Sequence, residues 1–118
     1  MSNLFSLKVS EIADKIRNSD LNSVDLCKSY IEQINKFEKD VKAWAYIDKK
    51  LLLEKAEEAD NHRRSGKVVG PLHGIPVALK DIIGTYDMPT ECGTTLRKGK
   101  TESQNAEIVD LLKTAGAL

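Results

Sequence analysis

The chain has 118 residues, of which 41% are hydrophobic and 31% are charged, a balance that excludes wholesale disorder and leaves room for one small domain. Lysine plus arginine and aspartate plus glutamate number 18 each, so the net charge is zero and no direct nucleic-acid partner is indicated. The longest apolar run, Ala43 to Ile47, is far shorter than the roughly 20 residues of a transmembrane helix, so no membrane association is expected. Two cysteines without a Cys-x-x-Cys pair, and the lack of a signal peptide, favour a cytoplasmic protein that needs no metal or organic cofactor.

The first half of the chain, residues 1–66, is predicted to be helical. Apolar residues recur there at the spacing of a buried helix face, and Gly66 after two arginines is typical of a helix C-terminus. The buried stripe of the second predicted helix consists of Val24, Cys27, Ile31 and Ile34. The predicted N-caps of the three helices are Ser10, Ser23 or Asn22, and Asp48.

Glycine and proline dominate the start of the second half, residues 67–118, where four of them fall within residues 70–76 and predict an irregular loop. The run from Ile75 to Lys80 then has the composition of a short buried strand. The remaining predicted elements are a polar loop over residues 88–100 and a helix from its cap Asn105 to Gly116, with Val109 and Leu112 in the core.

The apolar pair Ala117-Leu118 follows a helix-ending glycine, as the start of a strand does in an α/β pattern. The predicted strand cannot form a sheet alone, because its unpaired backbone groups are costly to bury. We therefore expect the first part of a larger α/β domain, with residues 1–66 as a helical segment and residues 67–118 as the start of the core. Exposed strand edges and apolar faces would favour self-association of such a part.

The strand prediction places one candidate catalytic residue, Lys80. Strand alternation puts Ala78 on the same face, so the neighbours of the lysine are small and apolar. If that face is covered, loss of hydration favours the neutral amine that a general base requires. The simpler interpretation is a lysine at a strand end that reaches into solvent, with Asp81 as a loose neighbour.

Four segments of the chain resemble the amidase signature family. The segment from Gly70 to Asp81 is similar to the family's G-P-L-x-G-[IV]-P-[IV]-x-[IVL]-K-D motif. Asp87 to Thr94 resembles its M-P-T-x-x-G-[ST] loop, Ala106 to Ala117 its A-x-x-V-x-x-L-x-x-A-G-A helix, and Val41 to Asp48 its N-terminal region. Four linked segments in the right order are far more specific than one motif. The resemblance implies the fold class: an N-terminal fragment of the α/β amidase signature fold.

The resemblance also implies a mechanism. Members of the family hydrolyse or transfer amides with a Ser–cis-Ser–Lys triad, in which one serine is the nucleophile, the second bridges, and the lysine accepts the proton. Lys80 matches that lysine by its place in the motif. The family carries both serines in a downstream Gly/Ser-rich segment, whereas the only serine after Lys80 here is Ser103. The chain alone is therefore expected to lack the nucleophile, the bridging serine and the oxyanion hole, and to be inactive.

Three functions remain open. The leading hypothesis is the N-terminal fragment of an amidase that cleaves the C–N bond of a small-molecule carboxamide. The second is a fragment of the A subunit of a glutamyl- or aspartyl-tRNA amidotransferase, although the loop from Asp87 to Gly93 favours the general amidase. The third is a non-catalytic helical interaction module or the relic of a truncated gene.

Other reactive side chains have simpler interpretations. His73 in the Gly/Pro loop either lies near a substrate or bonds to the backbone. Cys92 has no basic neighbour within four residues and is predicted to be an ordinary loop cysteine, whereas Cys27 is predicted to lie in the core.

Overall fold

The computed structural model describes residues 3–118, and three of its four α-helices precede Gly66, as the apolar periodicity predicts. The α-helices are α1 (Val9–Arg17), α2 (Ser23–Val41), α3 (Lys49–Arg64) and α4 (Glu107–Thr114). Single turns of 3-10 helix occur at Leu4–Ser6 and Thr95–Arg97. None of the helices in residues 3–118 has the length and apolar character needed to cross a membrane.

Helices α2 and α3 pack against each other as an antiparallel pair. Asp60, near the end of α3, contacts Ser23 at the start of α2. Lys49, at the start of α3, donates from its Nζ to the Asn35 Oδ1 atom (2.6 Å) in the second half of α2. The opposite ends of the two helices therefore meet.

The apolar core joins α1, α2 and the Gly/Pro loop. Ile12 and Ile16 lie about one turn apart on α1 and are buried together with Leu26 of α2 and Ile75 of the loop. Leu21, in the connection between the two helices, completes this cluster. Burying one such side chain contributes roughly 1.5–3 kcal/mol, whereas a helix as short as α1 is marginal in water by itself. Helix α1 therefore depends on the cluster for its stability.

The N-terminus of α2 is capped from α3. Asp60, which is 2% exposed, accepts hydrogen bonds from the N–H of Ser23 (2.8 Å to Oδ1) and the N–H of Val24 (3.0 Å to Oδ2). The first N–H groups of a helix lack intrahelical partners and carry partial positive charge, so they compensate a buried carboxylate. Arg63 Nη2 lies 3.7 Å from the same Oδ1 atom. The Ser23 hydroxyl donates to the Gly74 carbonyl oxygen, which connects the cap to the Gly/Pro loop.

The predicted caps of the first three helices differ in outcome. Asp48 is confirmed, because its Oδ1 atom accepts the N–H of Leu51 (2.9 Å). Asn22 occupies the cap position of α2, but its side chain makes no capping hydrogen bond. Ser10 is wrong as a cap, because α1 already begins at Val9.

Asn105 is also wrong as the cap of α4. Ala106 occupies that position, and the Asn105 side chain instead accepts the N–H of Tyr86 (3.1 Å) and donates to Asp110 Oδ1 (2.9 Å). The asparagine therefore links the helix to a preceding loop. Gly116 has a φ of +95°, which confirms the predicted glycine stop after this helix.

The predicted strand from Ile75 to Lys80 is not formed, and residues 3–118 contain no β-strand. The α/β class is therefore not visible within the described residues. Part of the segment still pairs through its backbone: the Leu118 N–H donates to the Ile75 oxygen (3.0 Å), and the Val77 N–H donates to the Leu118 oxygen (3.4 Å). This pattern is that of a parallel ladder, but a single pair of hydrogen bonds on one partner residue is too short to form a strand.

Two glycines let the Gly/Pro loop pack directly on the backbone that follows α4. A Cβ atom on Gly70 would lie 2.2 Å from the Ala115 oxygen, and one on Gly116 would lie 2.8 Å from His73 Cα. The Gly74 N–H also donates to the Gly116 oxygen (2.9 Å). The loop is thus positioned by α2 and α3 on one side and by the end of α4 on the other.

We expect Asp60→Ala to lower the free energy of unfolding by about 2–3 kcal/mol, because buried donors lose a charged partner. Urea denaturation followed by far-ultraviolet circular dichroism measures this loss. Glu58→Ala, at an exposed position of α3, is the control and should change the value by no more than about 0.5 kcal/mol. Equal stabilities for the two variants would show that α2 needs no cap from α3.

Candidate active site

Lys80 is exposed and begins the turn that follows the Gly/Pro loop. Its carbonyl oxygen accepts the N–H of Ile83 (3.0 Å). Its ammonium group makes no hydrogen bond or ion pair with any residue in the range 3–118. Ala78, the predicted apolar neighbour, is exposed as well. The described residues therefore do not supply the cover that would desolvate the amine, and the role of Lys80 as a base stays a prediction.

Asp81 connects the Lys80 turn to the loop of residues 87–94. The Asp81 Oδ1 atom accepts the N–H of Glu91 (2.9 Å), and the Asp81 backbone oxygen accepts the N–H of Cys92 (2.9 Å). Within residues 3–118 Asp81 makes no ion pair with the exposed Lys80 side chain, in line with the simpler interpretation, but Asp81 itself is bound to the neighbouring loop. Two bonds from consecutive amides to one residue fix both the separation and the relative orientation of the two segments.

Two buried threonines hold the same loop from inside. The Thr85 hydroxyl donates to the Met88 oxygen (3.2 Å), and the Thr85 N–H donates to the Thr90 hydroxyl (3.4 Å). The Thr90 N–H donates to the Lys100 oxygen (2.8 Å), and the Thr90 oxygen accepts from Arg97 Nε (3.2 Å). Buried polar groups require such partners, so this loop is held in place without regular secondary structure.

Asp87 joins the loop to two helices. Its Oδ2 atom lies 3.1 Å from Lys113 Nζ of α4 and 3.4 Å from Lys55 Nζ of α3. Its Oδ1 atom is buried and has no hydrogen-bond partner among residues 3–118. Burial raises the pKa of Asp87, but hydrogen bonds and Coulomb attraction from Lys113 and Lys55 outweigh burial and hold the pKa below its ordinary value.

His73 bonds to the backbone, which confirms the simpler of its two interpretations. Its Nε2 atom donates to the Ala59 oxygen of α3 (2.8 Å), and its ring centroid lies 5.3 Å from that of His62.

Within residues 3–118, no cluster of three or more histidine, cysteine, aspartate or glutamate side chains could hold a metal ion.

The two cysteines have opposite environments. Cys27 is fully buried in α2, as predicted, and burial is the main cause that raises the pKa of its thiol to about 11. The Asp60 charge raises this pKa further, and a hydrogen bond with Ser23 partly opposes the increase. Cys92 is exposed, with a left-handed φ of +54°.

No serine hydroxyl is hydrogen-bonded to Lys80 anywhere in residues 3–118. Ser103 is exposed and precedes α4, as the sequence predicts. Ser23 is buried, but its hydroxyl donates a hydrogen bond to the Gly74 carbonyl oxygen. Ser2 lies outside the described residues. The structure therefore does not bring a nucleophile and the candidate base together.

An open groove of about 570 Å³ lies between the start of α2 and one side of α3. Acidic and basic side chains line it together, and none of its lining residues belongs to the Lys80 turn or to the loop of residues 87–94. The groove and the candidate base are therefore separate features.

Comparison with known proteins gives the family. The family model described as Amidase matches residues 25–118. The A subunit of glutamyl-tRNA(Gln) amidotransferase from Desulfotalea psychrophila (strain LSv54 / DSM 12343) is 35% identical over 114 residues, which cover 97% of this chain and 23% of that protein. The solved native peptide amidase from Stenotrophomonas maltophilia has a TM-score of 0.86 and 30% identity over 96% of this chain and 23% of its own. The structure of a fatty acid amide hydrolase has a TM-score of 0.88 and is 28% identical, and the match covers 99% of this chain and 21% of that protein.

The chain therefore belongs to the amidase family, and the resemblance of its four segments is confirmed. The solved structures that it matches have the amidase signature fold. The chain spans about a quarter of the length of these relatives. The hydrolases and the amidotransferase protein are similar to it at about the same level, so identity does not separate the two activities.

Sequence reasoning missed the residues that hold the site in place. The loop-binding role of Asp81 and the paired threonines Thr85 and Thr90 are found only in the structure. Asp81 and Thr90 are fixed positions in the motifs of the family as written above, and this was the one feature of the sequence that pointed to them. Thr85 lies outside those motifs, and no feature of the sequence pointed to its role.

The contribution of Asp87 to stability is expected to depend on pH. Because its folded-state pKa is depressed, its contribution is fully present above the unfolded pKa of about 3.9 and is lost as the pH falls through the folded pKa. Urea midpoints of the wild type and Asp87→Asn, measured from about pH 7 to 2.5, should differ at neutral pH and converge in acid. A constant difference across this range would contradict the charge pairing with Lys55 and Lys113.

Only one of the two thiols should react quickly with an aromatic disulfide reagent. Burial in α2 protects Cys27 and disfavours its thiolate, whereas Cys92 is open to solvent. Absorbance should show one fast equivalent that disappears in Cys92→Ser and persists in Cys27→Ser. Two fast equivalents in the native chain would mean that α2 is not packed as described.

Proposed function

We propose that residues 1–118 form the N-terminal part of an amidase that cleaves the C–N bond of a small carboxamide, with Lys80 as the proton acceptor. The observation that carries the proposal is the placement of Lys80. It stands in the family's K-D motif, inside the matched residues 25–118, at a turn that Asp81 binds to the M-P-T loop. In this proposal residues 1–66 are the helical segment and residues 67–118 begin the catalytic core.

The proposed chemistry is a proton relay to the amine of Lys80. The nucleophilic serine attacks the amide carbon and passes its proton to the bridging serine, which passes its own proton to the neutral lysine. The protonated lysine returns a proton through the same relay to the leaving amine, and water then hydrolyses the acyl-enzyme. Both serines and the oxyanion hole belong to the part of the fold outside residues 1–118. The chain alone is therefore expected to be inactive.

The exposure of Lys80 fits a site that the remainder of the fold completes. Ile82, two residues away, is 61% exposed, and Val77 is also exposed. Exposed apolar side chains on either side of the candidate base are consistent with a surface that another part of the protein covers. A layer over this turn would remove water from the lysine and favour the neutral amine. The same exposed side chains support self-association when that layer is missing.

A second candidate is the A subunit of a tRNA-dependent amidotransferase. Its support is the similarity to such a protein from Desulfotalea psychrophila, which at 35% identity is about as similar to this chain as the hydrolases are. Release of ammonia from glutamine, without turnover of simple carboxamides, would support this candidate over the general amidase. Both use the same proposed role for Lys80.

In the full amidase domain, Lys80→Arg should be almost as damaging as Lys80→Ala. Arginine keeps the positive charge but stays protonated, so it cannot accept a proton from serine. Each variant should lower kcat by at least about a hundredfold, the usual contribution of a general base. Ammonia release from a carboxamide measures kcat for the wild type and for each variant.

Lys67→Arg, at an exposed lysine of the preceding loop, is the matched control and should retain wild-type activity. Residues 1–118 alone should release ammonia at the background rate. If Lys80→Arg keeps most of the wild-type rate, the lysine acts only as a charge and the proposed relay is wrong.

A further inference from the structure

We propose that Asp81 is a positioning residue for Lys80 and that it acts as a hydrogen-bond acceptor rather than as a charge. The inference rests on the proposed function, because it takes Lys80 as the base. It adds a second residue of the chain to that machinery and assigns it a separate task.

The first support is the direct covalent connection. Consecutive Cα atoms are about 3.8 Å apart, so the backbone of Asp81 sets the backbone of Lys80. Asp81 is held at two points, by the Glu91 N–H at its carboxylate and by the Cys92 N–H at its carbonyl oxygen, both at 2.9 Å. The Ile83 N–H holds the Lys80 oxygen from the other side. The main chains of Lys80, Asp81 and Ile83 are thereby restrained by hydrogen bonds.

The second support is the shape of the opposing loop. Cys92 and Gly93 have consecutive left-handed φ values of +54° and +69°. A left-handed backbone is unfavourable for a residue with a Cβ atom, so Cys92 needs compensating contacts. The far side of this loop is held by the Glu91 carboxylate, which accepts the Gly99 N–H (2.6 Å). Asp81 therefore binds a loop that is itself fixed, and not a free segment.

The third support is what Asp81 does not contact. Within residues 3–118, no ion pair joins the Asp81 carboxylate to Lys80 or to any other basic side chain. The Oδ1 atom of this carboxylate accepts a hydrogen bond from the Glu91 N–H. Because the Lys80 side chain has no partner in the same range, backbone restraint is the positional control that the described residues provide. The carboxylate thus serves as an acceptor that fixes the turn.

The kinetic test uses Asp81→Asn and Asp81→Ala in the full amidase domain. Asparagine keeps an acceptor oxygen of the same shape without the charge, so Asp81→Asn should retain a third or more of the wild-type kcat. Asp81→Ala should lower kcat by at least about tenfold with KM changed less than about threefold, since the side-chain acceptor of the Glu91 N–H is lost and the base is misplaced. Asp110→Ala removes a carboxylate hydrogen bond on α4 and serves as the control with wild-type kinetics. Equal losses in Asp81→Asn and Asp81→Ala would overturn the acceptor role and favour a charge effect.

A second measurement separates this inference from the proposed function. In residues 1–118, water exchange of the Glu91 amide proton, followed by nuclear magnetic resonance, should accelerate at least about tenfold in Asp81→Ala and much less in Asp81→Asn. Unchanged Glu91 exchange in Asp81→Ala would overturn the restraint itself. Accelerated exchange with wild-type kcat would overturn the positioning role and leave the amidase proposal standing. A wild-type domain that is inert toward carboxamides and glutamine would overturn the proposed function, and with it the positioning role.

Discussion

One buried carboxylate, that of Asp60, connects the parts of this chain that are far apart in sequence. Burying a charge is costly unless it is fully compensated, and here the first N–H groups of α2 compensate it. That requirement fixes α2 against α3 with a defined offset. Ser23, held by the same carboxylate, then extends the connection to the Gly74 oxygen. The Gly/Pro loop, and the Lys80 turn after it, are positioned from this point.

The loops of the second half are ordered by polar contacts rather than by a core. Val109 of α4 and Ile75 are the buried apolar residues there, whereas Thr85 and Thr90 are buried polar ones. Hydrogen bonds fix direction as well as distance, which apolar contacts do not. Such a framework suits the proposed site, in which the position of the single amine of Lys80 must be fixed. The structure thus combines a helical half that supplies stability with a polar half that supplies orientation.

The helices could be predicted because they depend on interactions between residues close in sequence. The Asp60 cap and the absence of the strand could not, because they depend on residues far apart in sequence. The periodicity of α2 and the Asp48 cap depend on residues within one or two turns, and a sequence shows them directly. The Asp60 cap joins residues 37 positions apart, and nothing in the local pattern distinguishes it from an exposed helix aspartate. The predicted strand failed for the same reason, since strand pairing depends on partners elsewhere. Family membership was accessible because its motifs are contiguous.

The pairing of Ile75 and Val77 with Leu118 has a consequence for the order of folding. These residues are more than 40 positions apart, so their contact closes a long loop, and the entropy of closing a loop increases with its length. The contacts between α2 and α3 close a shorter one. We expect the helical pair to assemble first and to present the Ser23 hydroxyl as a docking point for the Gly74 carbonyl oxygen. The Gly/Pro loop, and the Lys80 turn that continues from it, would then become ordered after the helical pair.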